Sequence, residues 1–203
     1  MKIFKLIFAA LFFASPLAWA DVAMLTQVSG DVSVAGEGGK RAAVAFIKVN
    51  TGDKLTLGNG ARVQMVYFGN GRQEVWKGGA QIEVGGLESK GSGKPEVSQL
   101  PPLVVNQLVK TPAAGQQGKT GMIRTRNMAN PDAAAHLEKQ YKELKASSSA
   151  DDTTPEIYLL SGLIEQKGFT RAKEVLAGLD GKPAYRAVVD HFTPIVNAGA
   201  ASK

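Results

Sequence analysis

The chain has 203 residues, 44% hydrophobic and 21% charged, as expected for a globular protein of one or two domains. It contains no cysteine, which excludes disulfides and a lipid anchor carried on cysteine. The formal charge is +6, but Lys2 and Lys5 lie in a leader, so 22 basic residues face 18 acidic ones and +4 remains. These charges are interspersed, without the basic stripe of a nucleic-acid binder, so no nucleic-acid partner is expected.

Residues 1–20 read as a secretory signal peptide. Lys2 and Lys5 supply the basic start, residues 6–13 are apolar throughout, Ser15 and Pro16 break the run, and Ala18-Trp19-Ala20 forms an A-x-A cleavage site. The apolar run is shorter than the roughly 20 residues a spanning helix needs. A retained anchor is the alternative. Cleavage between Ala20 and Asp21 predicts a periplasmic protein without stable membrane insertion, and no later stretch is apolar enough to cross a bilayer.

Residues 21–97 read as a β domain. Val28, Val32 and Val34 keep a period of two around Gly30, and a glycine-rich loop at 36–39 follows. Residues 42–49 are open between strand and coil. Gly52-Asp53 introduces a strand with Leu55 and Leu57 on one face, and Gly58-Asn59-Gly60 turns it. Ala61, Val63, Met65 and Tyr67 then alternate with Arg62, Gln64, Val66 and Phe68. That strand is two-faced in its first half and apolar on both sides in its second, as in a central strand or one with a second layer on it. Gly69-Asn70-Gly71 makes another turn, and residues 72–77 and 80–84 follow. Short strands with turns every eight to twelve residues predict a small antiparallel β-sandwich or barrel.

These motifs resemble the FecR domain, a periplasmic β module. The opening G-x-V-x-V is Gly30-Asp31-Val32-Ser33-Val34, the strand start G-D-x-L is Gly52-Asp53-Lys54-Leu55, G-A-x-V is Gly60-Ala61-Arg62-Val63, and the closing hairpin is Asn70-Gly71. The resemblance covers residues 22–84. It implies a binding module of the periplasm. Members that regulate a cytoplasmic sigma factor carry a cytoplasmic segment and a transmembrane helix, and no such pair is visible here, so only the module and its binding character carry over.

Residues 88–102 form a boundary rich in Gly, Ser and Pro, and residues 98–129 read as a linker, with residues 103–109 open between a further strand and a short helix. Within it AAGQQGKT, residues 113–120, matches a loose phosphate-binding loop. Pro112 before it and Gly121 after it deny the strand and helix that such a loop requires, and no cofactor is expected. From Asn130 the period becomes helical. Asn130-Pro131 starts one helix striped by Leu137, Tyr141 and Leu144. Thr153 or Thr154 with Pro155 starts a second, striped by Ile157, Leu160 and Ile164. Ala172, Val175, Leu176 and Leu179 define a third. Tyr185, Val188, Val189 and Phe192 define a fourth, ended or kinked by Pro194. Residues 130–197 thus predict a helical bundle, and 198–203 a disordered tail. Residues 157–179 resemble one tetratricopeptide-type helical hairpin turning at Gly168, although its Gly-x-x-x-Ala is one residue short. The whole chain is expected to be α+β.

Candidate chemistry is sparse. His136 and His191 stand apart from any metal-binding spacing, so surface or cap roles and no metal are expected. Ser161-Gly162 lacks the glycine of a nucleophile elbow, and Asp151-Asp152 reads as a solvated loop before a helix. Period two places Arg72, Glu74 and Trp76 on one strand face, a binding platform if exposed, or a tryptophan packed against the helical half with the charges paired at its rim. These features predict a non-catalytic binding or adaptor protein contacting an envelope protein or polymer. The alternatives are an accessory of a cell-surface signalling or transport system, then a hydrolase of wall polymers.

Overall fold

Ten short strands and five helices carry these patterns in a computed structural model that describes residues 21–116 and 131–201. The expected signal peptide, the end of the AAGQQGKT segment, the expected helix start at Asn130 and residues 202–203 of the expected tail lie outside the described residues. One antiparallel sheet has the order β10-β7-β6-β1-β4, from Glu96–Gln99, Arg72–Lys77, Arg62–Tyr67, Ala23–Ser29 and Lys48–Val49. The other has the order β3-β2-β5-β8-β9, from Gly39–Ala42, Val32–Gly36, Lys54–Leu57, Gln81–Val84 and Ser89–Gly91. The helices are α1 Pro102–Lys110, α2 Pro131–Ser147, α3 Thr154–Glu165, α4 Phe169–Leu179 and α5 Arg186–Ala201. The architecture is α+β, with an N-terminal pair of sheets and C-terminal helices.

The two sheets bury their facing sides against each other. Leu25, Val63, Met65 and Trp76 from the first meet Val34, Leu55, Ile82 and Val84 from the second. Strands β5 and β8 show the cleanest alternation, Leu55, Leu57, Ile82 and Val84 inward and Lys54, Thr56, Gln81 and Glu83 outward. Two glycines are required by close approach. Gly30 turns β1 into β2 at φ +77° against the Ala61 backbone, and a side chain on Gly78 would stand 2.5 Å from the Gly60 nitrogen.

The outer face of the first sheet is covered too. Met24 and Val66 join Phe46, Leu100, Val104 and Leu108 and the buried sides of α2, α3 and α5 in a second apolar core. The two-sided apolar character of β6 has this origin: it is central in its sheet and lies beneath a helical layer. Helix α3 is the hub of that layer, buried from Thr154 through Leu163 and packed on α1, α2, α4 and α5.

Of the two readings left open for residues 103–109 the helix is the one observed: they lie in α1, where Pro102 occupies the first turn and Val104, Val105 and Leu108 share the buried side. Other expectations change. The Gly-, Ser- and Pro-rich boundary at residues 88–102 supplies two edge strands, β9 and β10, so the β region runs past residue 97 to Gln99. Edge strands need only backbone partners on one side, and β10 is exposed along its length, so it carries no alternation to read. Pro194 does not end the last helix; α5 continues to Ala201 because Val196 is buried beyond it. Residues 198–201 of the expected tail are therefore helical. Ala172 is fully buried beside the Gly168 turn between α3 and α4, as expected for a helical hairpin.

Candidate functional site

The face shared by Arg72, Glu74 and Trp76 points into the sandwich. Trp76 is 2% exposed and lies opposite Val63 between the sheets, so it is neither a surface platform nor packed against the helices. Glu74 is fully buried and multiply bonded. Arg72 Nε donates to one carboxylate oxygen at 2.6 Å, the Ser89 backbone N–H donates to the same oxygen at 3.2 Å, and Trp76 Nε1 donates to the other at 2.9 Å. Arg72 also approaches Glu88 at 3.7 Å. Beside this group burial pushes the Tyr67 phenol up to about 12, and its oxygen lies 2.6 Å from the Ser89 hydroxyl. This cluster fastens β9 to β7, and its carboxylate has no open side for a ligand.

The reachable concavity lies on the opposite side of the same sheet. A cleft of about 450 Å³ runs between the outer face of β10, β7 and β6 and the C-terminal half of α2. Alternation places it there: the residues between Arg72, Glu74 and Trp76 must face outward, and Gln73 and Val75 line the cleft. Arg62 and Gln64 of β6 and Ser98 of β10 extend the floor, and Gln140, Glu143 and Ser147 form the helical wall. The lining mixes amide and hydroxyl groups with the apolar side chains of Val75, Val97, Leu100, Val104 and Leu144, carries the charged Arg62, Glu96 and Glu143, and includes no aromatic side chain.

At its deep end a closed polar ring joins the two halves. Gln64 Nε2 donates to Asp152 Oδ1 at 2.7 Å and to Thr154 Oγ1 at 3.0 Å. Gln73 Nε2 donates to Asp152 Oδ2 at 3.0 Å, and Thr154 Oγ1 donates back to Gln73 Oε1 at 3.0 Å. The Thr154 backbone N–H completes the carboxylate's set at 2.8 Å, which seats Asp152 at the positive end of α3. Asp152 accepts only, so it fixes the orientation of both glutamine amides. Asp152 is 4% exposed, contrary to the solvated loop expected of it, while Asp151 is exposed. Sequence reasoning missed Gln64 and Gln73 because a polar outward position on a strand ordinarily means solvent. The signal that marks them is Val66, apolar on the same face and next in period.

Two further buried polar groups sit away from the cleft. Glu156 is 2% exposed and takes Lys145 Nζ at 2.9 Å and the Tyr141 hydroxyl at 3.3 Å. Lys145 also donates to Tyr185 at 2.7 Å. Burial works to lower the Lys145 ammonium, but these bonds outweigh it and hold the group above its usual range. His191 is 4% exposed, not at the surface or in a cap. Its ring lies flat on Phe46, centroids 3.9 Å apart, and meets Phe192 edge-on at 5.0 Å. Burial lowers its basicity to about 4, opposed in part by a bond to the Pro112 carbonyl. Phe46 holds the left-handed φ of 69°, and its backbone is pinned to Leu25 and Ala114. His136 is exposed. Among the described residues no three His, Cys, Asp or Glu side chains group as metal ligands, and no helix is long and apolar enough to cross a membrane.

A scan against protein-family models, a search of curated proteins and a search of solved structures each returned no match.

Proposed function

We propose that this is an exported, non-catalytic binding or adaptor protein of the envelope, in which a FecR-like β module and a helical bundle together present the cleft to another envelope protein or polymer. The observation that carries the reading is the cleft itself: a recess of about 450 Å³ at the junction of the two halves, lined by amides and hydroxyls alongside Val75, Val97, Leu100, Val104 and Leu144. Such a mixed lining holds a partner by hydrogen bonds and apolar contact, while activating a bond requires a nucleophile placed beside a base. The ring of Gln64, Gln73, Asp152 and Thr154 supports the reading by holding sheet and helices in fixed relation, so the recess is preformed and less ordering entropy is lost on binding. The A-x-A site before Asp21 supports export.

The test is affinity capture from envelope extract with the wild type and with Ser98→Trp and Gln140→Trp, which fill the recess from its two walls. A partner held by the wild type and lost by both variants is the expected result. No specific partner, or one retained by both variants, contradicts it. Periplasmic fractionation with N-terminal sequencing checks the export reading separately and should return a chain beginning at Asp21.

A further inference from the structure

The side of the second sheet turned away from the cleft carries a row of lysines. The helices cover the first sheet, so the outer face of the second remains exposed. Its register places Lys40, Ala35, Lys54, Glu83 and Lys90 in one row across all five strands: Lys40 opposite Ala35, Ala35 opposite Lys54, Lys54 opposite Glu83, and Glu83 opposite Lys90. The next row, Ala42, Ser33, Thr56 and Gln81, is small or neutral. All three lysines are exposed, and among the described residues none of them has a salt-bridge partner within 4.0 Å. With neighbouring strands about 4.8 Å apart, successive lysines stand roughly 10 Å apart along a row of about 20 Å. Glu83 is the acid in that row. Arg41, also exposed, adds a positive charge at the β3 edge.

We propose that this face docks the protein on an anionic lipid bilayer by contact with phosphate headgroups, without insertion. A row of lysines separated by Ala35 and Glu83 suits a charged surface, because the long apolar stems let the ammonium groups reach outward past the twist of the sheet. A threaded polymer would be served by a groove, and single-stranded nucleic acid by aromatic platforms; the two rows contain neither. Each lysine brought to an anionic surface raises partitioning about fivefold, so three give on the order of a hundredfold, reduced in part by Glu83. Docking this way turns the helical layer and the cleft away from the membrane, where a partner can reach them. The proposal does not depend on what the cleft binds.

The experiment is co-sedimentation of the purified protein with vesicles of phosphatidylcholine alone or mixed with phosphatidylglycerol, at low salt and at about 1 M salt, where screening shortens to roughly 3 Å. The triple variant Lys40→Gln, Lys54→Gln, Lys90→Gln is compared with Lys142→Gln, Lys173→Gln, Lys182→Gln, which removes the same charge from exposed positions in the helical half. All proteins carry the same N-terminus, verified by mass, so any contribution of the leader cancels, and circular dichroism verifies folding. The expected result is salt-sensitive binding to the anionic vesicles only, reduced at least tenfold by the sheet variant and less than twofold by the helical one. Equal loss in both variants, unchanged binding by the sheet variant, or equal binding to neutral vesicles overturns the proposal. Binding to soluble polyphosphate through these lysines without vesicle binding overturns it as well.

Discussion

The buried histidine makes folding stability depend on pH in a way that can be isolated. In the folded chain His191 stacks on Phe46 and takes a proton only near pH 4, whereas in the unfolded chain it does so near the ordinary 6.5. Above 6.5 both states hold a neutral ring and the group adds no pH dependence. As pH falls from 6.5 to 4 the unfolded state binds the proton first, so stability is lost across that window and levels off below it for this group. The gap, at 1.36 kcal/mol for each factor of ten in proton affinity, is about 3 kcal/mol, of which about 2 is lost by pH 5. That is a large share of the roughly 5–15 kcal/mol that holds a domain folded. The assay is denaturant unfolding of the wild type and His191→Phe between pH 7.5 and 4. Phenylalanine keeps the stack and cannot titrate, and carboxylates elsewhere cancel in the difference. The wild type should lose about 3 kcal/mol more than the variant over that range. A difference that stays constant with pH would refute the assignment of a buried neutral ring.

Other expectations concern the polar clusters and a close approach. Asp152→Ala takes an acceptor from both glutamine amides and from the Thr154 N–H, and should cost on the order of 3 kcal/mol in denaturant unfolding; replacing Gln64, Gln73 and Asp152 together by leucine should cost less, because the amides go with their acceptor and only the Thr154 N–H and hydroxyl are left over. Glu74→Ala leaves Arg72, the Trp76 indole N–H and the Ser89 N–H without their acceptor and should cost about 3–5 kcal/mol by the same measurement. Gly78→Ala forces a methyl group against the Gly60 and Gly58 backbone and should lower the unfolding free energy by about 1–3 kcal/mol, whereas Gly86→Ala, with open space around it, should change it little.

What could be read from the residues follows from which interactions leave a periodic trace. Strands β5 to β8 were legible because each buries one or both faces and each is closed by glycine. Helix starts at Pro131 and Pro155 were legible because proline is accepted in the first turn. The edge strands β9 and β10 were not, since backbone pairing at a rim selects no side-chain pattern. The Arg72, Glu74 and Trp76 face was correctly grouped by period two, but period alone does not say which face meets the second sheet. The cleft floor was invisible for a related reason: Gln64 and Gln73 look like solvent-facing residues until a helix 88–90 residues away brings Asp152 and Thr154 over them. The sequence suggests a surface or cap role for His191 because its partner Phe46 lies in an irregular loop, outside any repeating pattern.

The central claim is that the recess between sheet and helices is where this protein meets its partner, and site-specific photo-crosslinking in living cells tests it most directly. A photoreactive residue is placed in turn at Ser98 and Gln140 in the recess and at Lys173 on the exposed side of α4. A discrete adduct of the same mass from Ser98 and Gln140, absent from Lys173, is the predicted result. Adducts from Lys173 alone, or the same adduct from all three positions, would contradict it.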